Sequence, residues 1–254
     1  MKKFINNLIV DYVKQYKLPD NSKTEWGTPL VGFASAEDQL FAQLKDIVCE
    51  DHLMPKDILK NAETVVSYFV PFSKKLVHSN KEGESCSREW ATAYIETNMM
   101  ISDLNNYLYD KISEINFDAG IVNWYFDREK LLSSWSQRHV AYVSGLGTFG
   151  INNMLITENG CSGRYGSIVT SIKVEPDARP IKEFCLYKNN GSCRVCVKNC
   201  VFGALKETSF NRFKCLEVCM ENSDKYSELG EAEACGKCLT EVPCSFRNPT
   251  NFYV

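Results

Sequence analysis

The sequence has 254 residues, 44% hydrophobic and 24% charged, with a formal net charge of −3. That is enough apolar material for a core that needs no covalent staple, and a slightly acidic chain does not suit a protein that coats nucleic acid through clustered cations. No run approaches the ~18 apolar residues of a membrane-spanning helix, so no membrane is expected and the protein is read as cytoplasmic, a compartment where structural disulfides are rare.

Phe4, Ile5, Leu8, Ile9, Tyr12 and Val13 recur at helical spacing, while Asn6, Asn7, Asp11 and Lys14 break any signal-peptide core. Residues 3–16 are therefore expected to form an amphipathic helix kept in the mature chain. Strands are expected at 29–34, 64–70, 119–124 and 165–174, and helices at 37–48, 88–113 and 131–143. The helix at 88–113 can bury Trp90, Tyr94, Met99, Ile101, Leu104, Leu108 and Ile112. Strands interleaved with helices predict an α/β or α+β layered domain over residues 1–180. Beyond Pro180 cysteines dominate, and residues 181–254 are expected to form a second, smaller domain.

Twelve cysteines are unusual for a cytoplasmic chain. Cys49, Cys86 and Cys161 are scattered, whereas the other nine lie between Cys185 and Cys244. Iron–sulfur clusters take thiolates from a tight loop and at least one from elsewhere; the bacterial two-cluster run is C-x2-C-x2-C-x3-C-P, whose last cysteine ligates the other cluster. Cys193, Cys196 and Cys200 match its last three positions. Its first position falls on Asn190, which has no thiol, and Cys185 replaces it on a longer loop. Cys235 and Cys238 supply a second C-x2-C, followed by Cys244. Crossing over, Cys185, Cys193, Cys196 and Cys244 are expected to hold one 4Fe–4S cluster, and Cys200, Cys215, Cys235 and Cys238 the other. Cys219, one helical turn from Cys215, is the alternative to it. Val201 and Ser245 stand where proline usually follows the cysteine, though Pro243 precedes Cys244. Paired C-x2-C knuckles also make zinc sites, but two such pairs leave Cys185, Cys200 and Cys244 unused.

Between helix 131–143 and the strand-like MLIT lies Gly145-x-Gly147-x-x-Gly150. A dinucleotide fingerprint needs a strand before it and a helix after it, the reverse of this order. A glycine turn that brings backbone close to a flat cofactor fits better.

GLGTFGINNMLIT followed by the two-cluster cysteine pattern resembles epoxyqueuosine reductase and, more distantly, the corrinoid reductive dehalogenases. The resemblance covers roughly residues 55 to 250 and includes LMPKDILKNAETVVSYFVPF. It implies a nitroreductase-like layered domain followed by a ferredoxin-like double-cluster domain. It also implies a cobalamin fed by the clusters, a reduced donor such as ferredoxin or flavodoxin, and reductive removal of oxygen or halogen from a small-molecule or modified-base substrate. Gly145, Leu146, Gly147, Gly150 and Asn152 fall in its cofactor segment. Asp127 matches its acidic proton donor, with a few extra residues before Gly145; the same Asp127 also suits the N-cap of the helix near 131. The family continues into a helical-repeat region that helps hold tRNA, whereas this sequence ends about ten residues after Cys244, so a tRNA substrate is not expected. It has no D-x-H-x-x-G segment to place a histidine below cobalt. His139 is either an acid facing the cofactor or a packed helix residue. Arg164 either meets a phosphate or carboxylate of the cofactor or is solvated. Trp90 and Trp135 line a flat pocket or pack in the core, and Cys161 is a reactive thiol or a small buried residue.

Overall fold

The computed structural model describes residues 1–252. Its centre is one antiparallel sheet of four strands, ordered β1–β2–β8–β3: β1 (Leu30–Ser35), β2 (Thr64–Pro71), β3 (Ala119–Gly120) and β8 (Gly163–Thr170). All eight residues of β2 are buried, because it lies between two partners, with Thr64 opposite Ser35 on one side and Thr170 on the other.

Side chains alternate across a strand, and here both faces are apolar. Phe33, Val66, Tyr68, Val70 and Ile168 point to one side, where α1 (Lys2–Gln15) and the long α5 (Arg88–Ser113) cover them. Ile5, Ile9 and Val13 of α1 recur every four residues and are buried. Met100, Leu104, Leu108 and Ile112 do the same on α5, each burial worth about 1.5–3 kcal/mol; Met99, expected in this face, is exposed instead. Ala34, Val65 and Val169 point to the other side, under α2 (Gln39–Ile47) and α6 (Gln137–Val143). The result is a mixed α and β layered fold with a wholly antiparallel sheet. The short helices α3 (Pro55–Ile58) and α4 (Lys74–Ser79) flank β2 in the chain.

Two expected elements change. The strand expected at 119–124 pairs only at Ala119 and Gly120, opposite Thr170 and Val169. The helix expected at 131–143 starts at Gln137, because the residues before it form a hairpin of β4 (Phe126–Asp127) and β5 (Leu132–Ser133). Asp127 accepts from the amides of Glu129 and Lys130, both at 2.9 Å, and closes the hairpin turn. After α6 comes the glycine segment, then a second hairpin of β6 (Gly147–Phe149) and β7 (Leu155–Thr157).

Residues beyond Pro180 carry the short α7 (Leu186–Asn190), α8 (Val195–Lys198) and α9 (Arg212–Lys225), joined by turns and loops. Their core is shared with the layered part: Phe184, Ala232, Ala234 and Leu239 pack with Phe72, Leu76, Trp90 and Ile156. Among the described residues no helix is long and apolar enough to cross a membrane.

Candidate functional site

The cysteine loops are short and held from outside. Gly191, left-handed at φ 76°, ends α7 just past Cys185. α8 carries Cys196 between Cys193 and Cys200. Gly236, at φ 73°, sits between Cys235 and Cys238, and a Cβ there would meet the Trp90 ring at 2.2 Å. Only glycine permits both the backbone conformation and that approach. Buried Asn80 donates to the Cys235 carbonyl at 2.9 Å, and Asn222 donates to that of Ala234 at 2.9 Å. Lys237, 4% exposed, donates to the carbonyls of Asn80 and Glu82 at 2.9 and 2.8 Å. These clamps fix the backbone that aims the thiols.

Cys185, Cys193, Cys196 and Cys244 line one small cavity, with Ile151, Ile156, Leu186 and Val242 as its apolar walls. Burial pushes the Cys196 thiol up to about 12, and the neighbouring Cys244, Cys185 and Cys193 add to it. Cys244 is tied in from β8's approach: the Cys161 amide donates to its carbonyl at 2.9 Å. The second set surrounds Cys238. Burial raises its thiol well above the usual value, followed by the charges of Cys235, Cys215, Cys196 and Cys200. Cys215 and Cys219 share a hydrogen bond on α9 that lowers Cys215 to about 7 and raises Cys219. Arg138 also lowers Cys215. Among the described residues no three His, Cys, Asp or Glu side chains are gathered for a single metal ion. Thiolates on one tetrahedral zinc stand ~3.8 Å apart, as its ~2.3 Å bonds require; a four-iron cluster spreads them wider.

A cleft of about 630 Å³ opens between the layered part and the cysteine loops, within the range of ligand sites. Cys235 and Cys219 form one wall, and Trp90, Tyr94, Trp124 and Phe126 supply aromatic faces. Arg164 lies in it with its guanidinium 4.3 Å above the Tyr94 ring. Arg138 also lines it, donating to the Asn153 carbonyl at 2.6 Å. Burial lowers both guanidinium pKa values. Among the described residues neither has a carboxylate within 4 Å, so the cleft presents cations that can meet an anionic group. None of the three histidines lines it.

The glycine segment is elsewhere. Gly145, Leu146, Gly147 and Gly150 do not line the cleft. A Cβ at Gly145 would meet the Ala178 carbonyl at 2.9 Å, and one at Gly147 the Ile156 carbonyl at 1.9 Å. Leu146 packs with Ala141 and Leu155. The close approach expected toward a flat cofactor is made to the protein's own backbone. Asn152 lines the first thiol cavity and donates to the Cys238 carbonyl at 3.5 Å, so it bridges the two cysteine sets. Asp127 stands beside two cleft residues, Phe126 and Arg128, with its carboxylate turned to the hairpin amides, which hold its pKa below the usual value. His139 bonds Ser136 through Nδ1 at 2.7 Å and packs on Phe149, and burial lowers it to about 4. Trp135, 1% exposed and stacked on His52 and Phe41, packs in the core and also lines the cleft; Cys161 is buried. Sequence reasoning missed Arg138, Tyr94 and the Trp124–Phe126 pair. The exposed aromatic run Trp124-Tyr125-Phe126 was the available signal.

No protein-family model matches the chain, and no curated protein matches it. Solved structures do. An epoxyqueuosine reductase from Streptococcus thermophilus matches with TM-score 0.58 and 21% identity, over 85% of this chain and 62% of that one. The chain has the epoxyqueuosine reductase fold. A Bacillus subtilis epoxyqueuosine reductase, solved with its catalytic aspartate loop swung out of the active site, matches with TM-score 0.56 and 19% identity, over 96% of this chain and 66% of that one. A reductive dehalogenase described for B12-dependent dehalogenation matches with TM-score 0.54 and 15% identity, over 82% of this chain and 28% of that one. This chain thus spans less than two thirds of the length of these epoxyqueuosine reductases and under a third of that dehalogenase.

Proposed function

We propose that this chain is an iron–sulfur reductase that holds two 4Fe–4S clusters and a cobalamin. The observation that supports it is the gathering of the cysteines into two adjoining sets, one of them lining a small cavity with four thiols. Cys185, Cys193, Cys196 and Cys244 would hold the first cluster, and Cys200, Cys215, Cys235 and Cys238 the second. The cleft beside Cys235 fits a broad, flat group: it is wide, aromatic and in contact with the second set. Clusters would supply low-potential one-electron transfer, and cobalamin a strongly reducing metal centre.

The chain's own residues do the rest. Arg164 and Arg138 bind and orient an anionic group of the cofactor or substrate. Trp124 and Phe126 shield the cleft mouth from water. Gly145, Leu146, Gly147 and Gly150 support it indirectly, by fixing the backbone between α6 and β7, and Asn152 fixes the two cysteine sets to each other. Asp127 is the candidate proton donor, a role its carboxylate would take up on leaving the Glu129 and Lys130 amides that hold it ionised. One structural neighbour was solved with its catalytic aspartate loop swung out of the active site, and in this reading the β4–β5 hairpin would carry Asp127 in the same way. His139 stays neutral behind the cleft and orients α6. With no histidine in the cleft, cobalt would receive no imidazole from this chain. The donor would be a reduced carrier such as ferredoxin or flavodoxin, and the substrate a small molecule or a modified base. Another neighbour was solved with a modified tRNA stem loop, so the base could arrive on RNA.

The second reading is an electron-transfer protein with the same clusters and no cobalamin. Anaerobic purification with iron and sulfide analysis, then visible spectra with and without added cobalamin, separates the readings. About eight irons per chain and a shifted corrinoid spectrum are expected. Eight irons with an unshifted spectrum would select the second reading, and zinc in place of iron would sink both.

A further inference from the structure

The first thiol cavity has an outer wall. Val242 and Pro243 line the cavity on one side and on the other a solvent-open groove of about 540 Å³. Val195 and Phe246 complete its apolar floor. Val195 precedes Cys196 and Pro243 precedes Cys244, so this floor is one residue from two of the four thiols.

The rim is cationic. Lys74 and Arg247 are exposed, and among the described residues neither pairs with a carboxylate. Lys74 Nζ stands 6.0 Å from the Phe246 ring. Glu241, the groove's carboxylate, is taken up by His78. The neighbouring stretch 185–200 adds Lys198, which has no carboxylate partner among the described residues, while its Lys188 and Arg194 are paired with Glu183 and Glu207. In a chain of net charge −3 this is a local reversal of sign, the kind of field that steers an oppositely charged partner.

We propose that this groove is the docking site for a small acidic one-electron carrier protein. The inference rests on the cluster assignment above and names where electrons enter. The apolar floor gives a carrier something to bury next to the thiols, while the rim orients it. RNA would use the cations but not the floor. The cleft lies against the second cysteine set, so electron entry and substrate occupy different faces. In the transfer the reduced carrier loses one electron and the cluster held by Cys185, Cys193, Cys196 and Cys244 gains it; no bond is made or broken.

The test uses the eight-iron protein and a low-potential plant-type ferredoxin as probe. Lys74→Glu with Arg247→Glu is compared with Lys3→Glu with Lys14→Glu, which adds the same negative charge on α1. Binding of oxidised ferredoxin and stopped-flow bleaching of the clusters are read against salt. The groove variant is expected to keep its iron and its rate with dithionite, while ferredoxin association falls about 10-fold or more and loses most of its salt dependence. The α1 variant is expected to match the parent. An equal loss in both variants, an unchanged groove variant, or competition for the groove by an RNA stem loop with no ferredoxin binding would each overturn the proposal. Absence of iron would instead refute the cluster assignment.

Discussion

Cys161 Sγ lies 3.8 Å from Cys244 Sγ, and the Cys161 amide bonds the Cys244 carbonyl at 2.9 Å. A residue two positions before the sheet's β8 thereby seats the last cysteine of the chain, 83 positions away. The two thiols differ in surroundings. Cys244 faces the cavity shared with Cys185, Cys193 and Cys196, whereas Cys161 is 0% exposed in the apolar core.

That difference predicts unequal variants. Cys244→Ser is expected to lower iron from about eight to about four per chain, because one cluster loses a ligand. Cys161→Ser is expected to keep the iron and to cost about 1–2 kcal/mol of stability, measured by denaturant unfolding, for placing a hydroxyl in an apolar site.

On α9 the choice between Cys215 and Cys219 is expected to fall on Cys215. Both thiols stand near Cys235, but the hydrogen bond they share and the Arg138 charge favour the thiolate at Cys215. Cys215→Ser should remove about four irons and Cys219→Ser none. The reverse result, read by iron and sulfide analysis, would exchange their roles.

Asp127→Asn separates capping from proton donation. Asparagine keeps an oxygen for the Glu129 and Lys130 amides and closes such turns as well as aspartate, so the melting temperature should not move. Single-turnover reduction of an accepted substrate should slow about 10²–10⁴-fold, the usual contribution of a general acid. An unchanged rate would leave Asp127 a turn residue.

His139 makes stability depend on pH. Desolvation, then Arg138 and His52, lower it from 6.5 to about 4. A depressed folded value means that the unfolded chain takes the proton first as pH falls. The stabilisation is therefore complete above about pH 6.5, lost progressively down to about pH 4, and on the order of 3 kcal/mol in total. His52, also lowered by burial, adds in the same direction. His139→Gln should flatten the melting temperature over this interval relative to the parent.

The long α5, the fully buried β2 and the terminal helix α1 were legible because each repeats a short pattern, four residues for Ile5, Ile9 and Val13 and a mostly apolar, β-branched and aromatic run for β2. The β4–β5 hairpin was not. A helix was expected from 131, but the turn at Asp127 and the Ser134 hydroxyl bonded by the Tyr125 amide at 3.0 Å took those residues first. The glycine segment misled differently. Its spacing announced a close backbone approach, and nothing local said that the approaching partners would be Ala178 and Ile156.

The sequence by itself determined the order of the main elements, α1, β1, α2, β2, α5 and β8, and the thiol supply in two half-sites, because both depend on spacings of a few residues, which local backbone geometry dictates. Only the tertiary structure decided that Cys161 seats Cys244, that Arg138 and Arg164 meet Cys219 and Cys235 across one cleft, and that Lys74 and Arg247 share a rim. Those juxtapositions join residues tens of positions apart, and packing of the shared core, not spacing, brings them together.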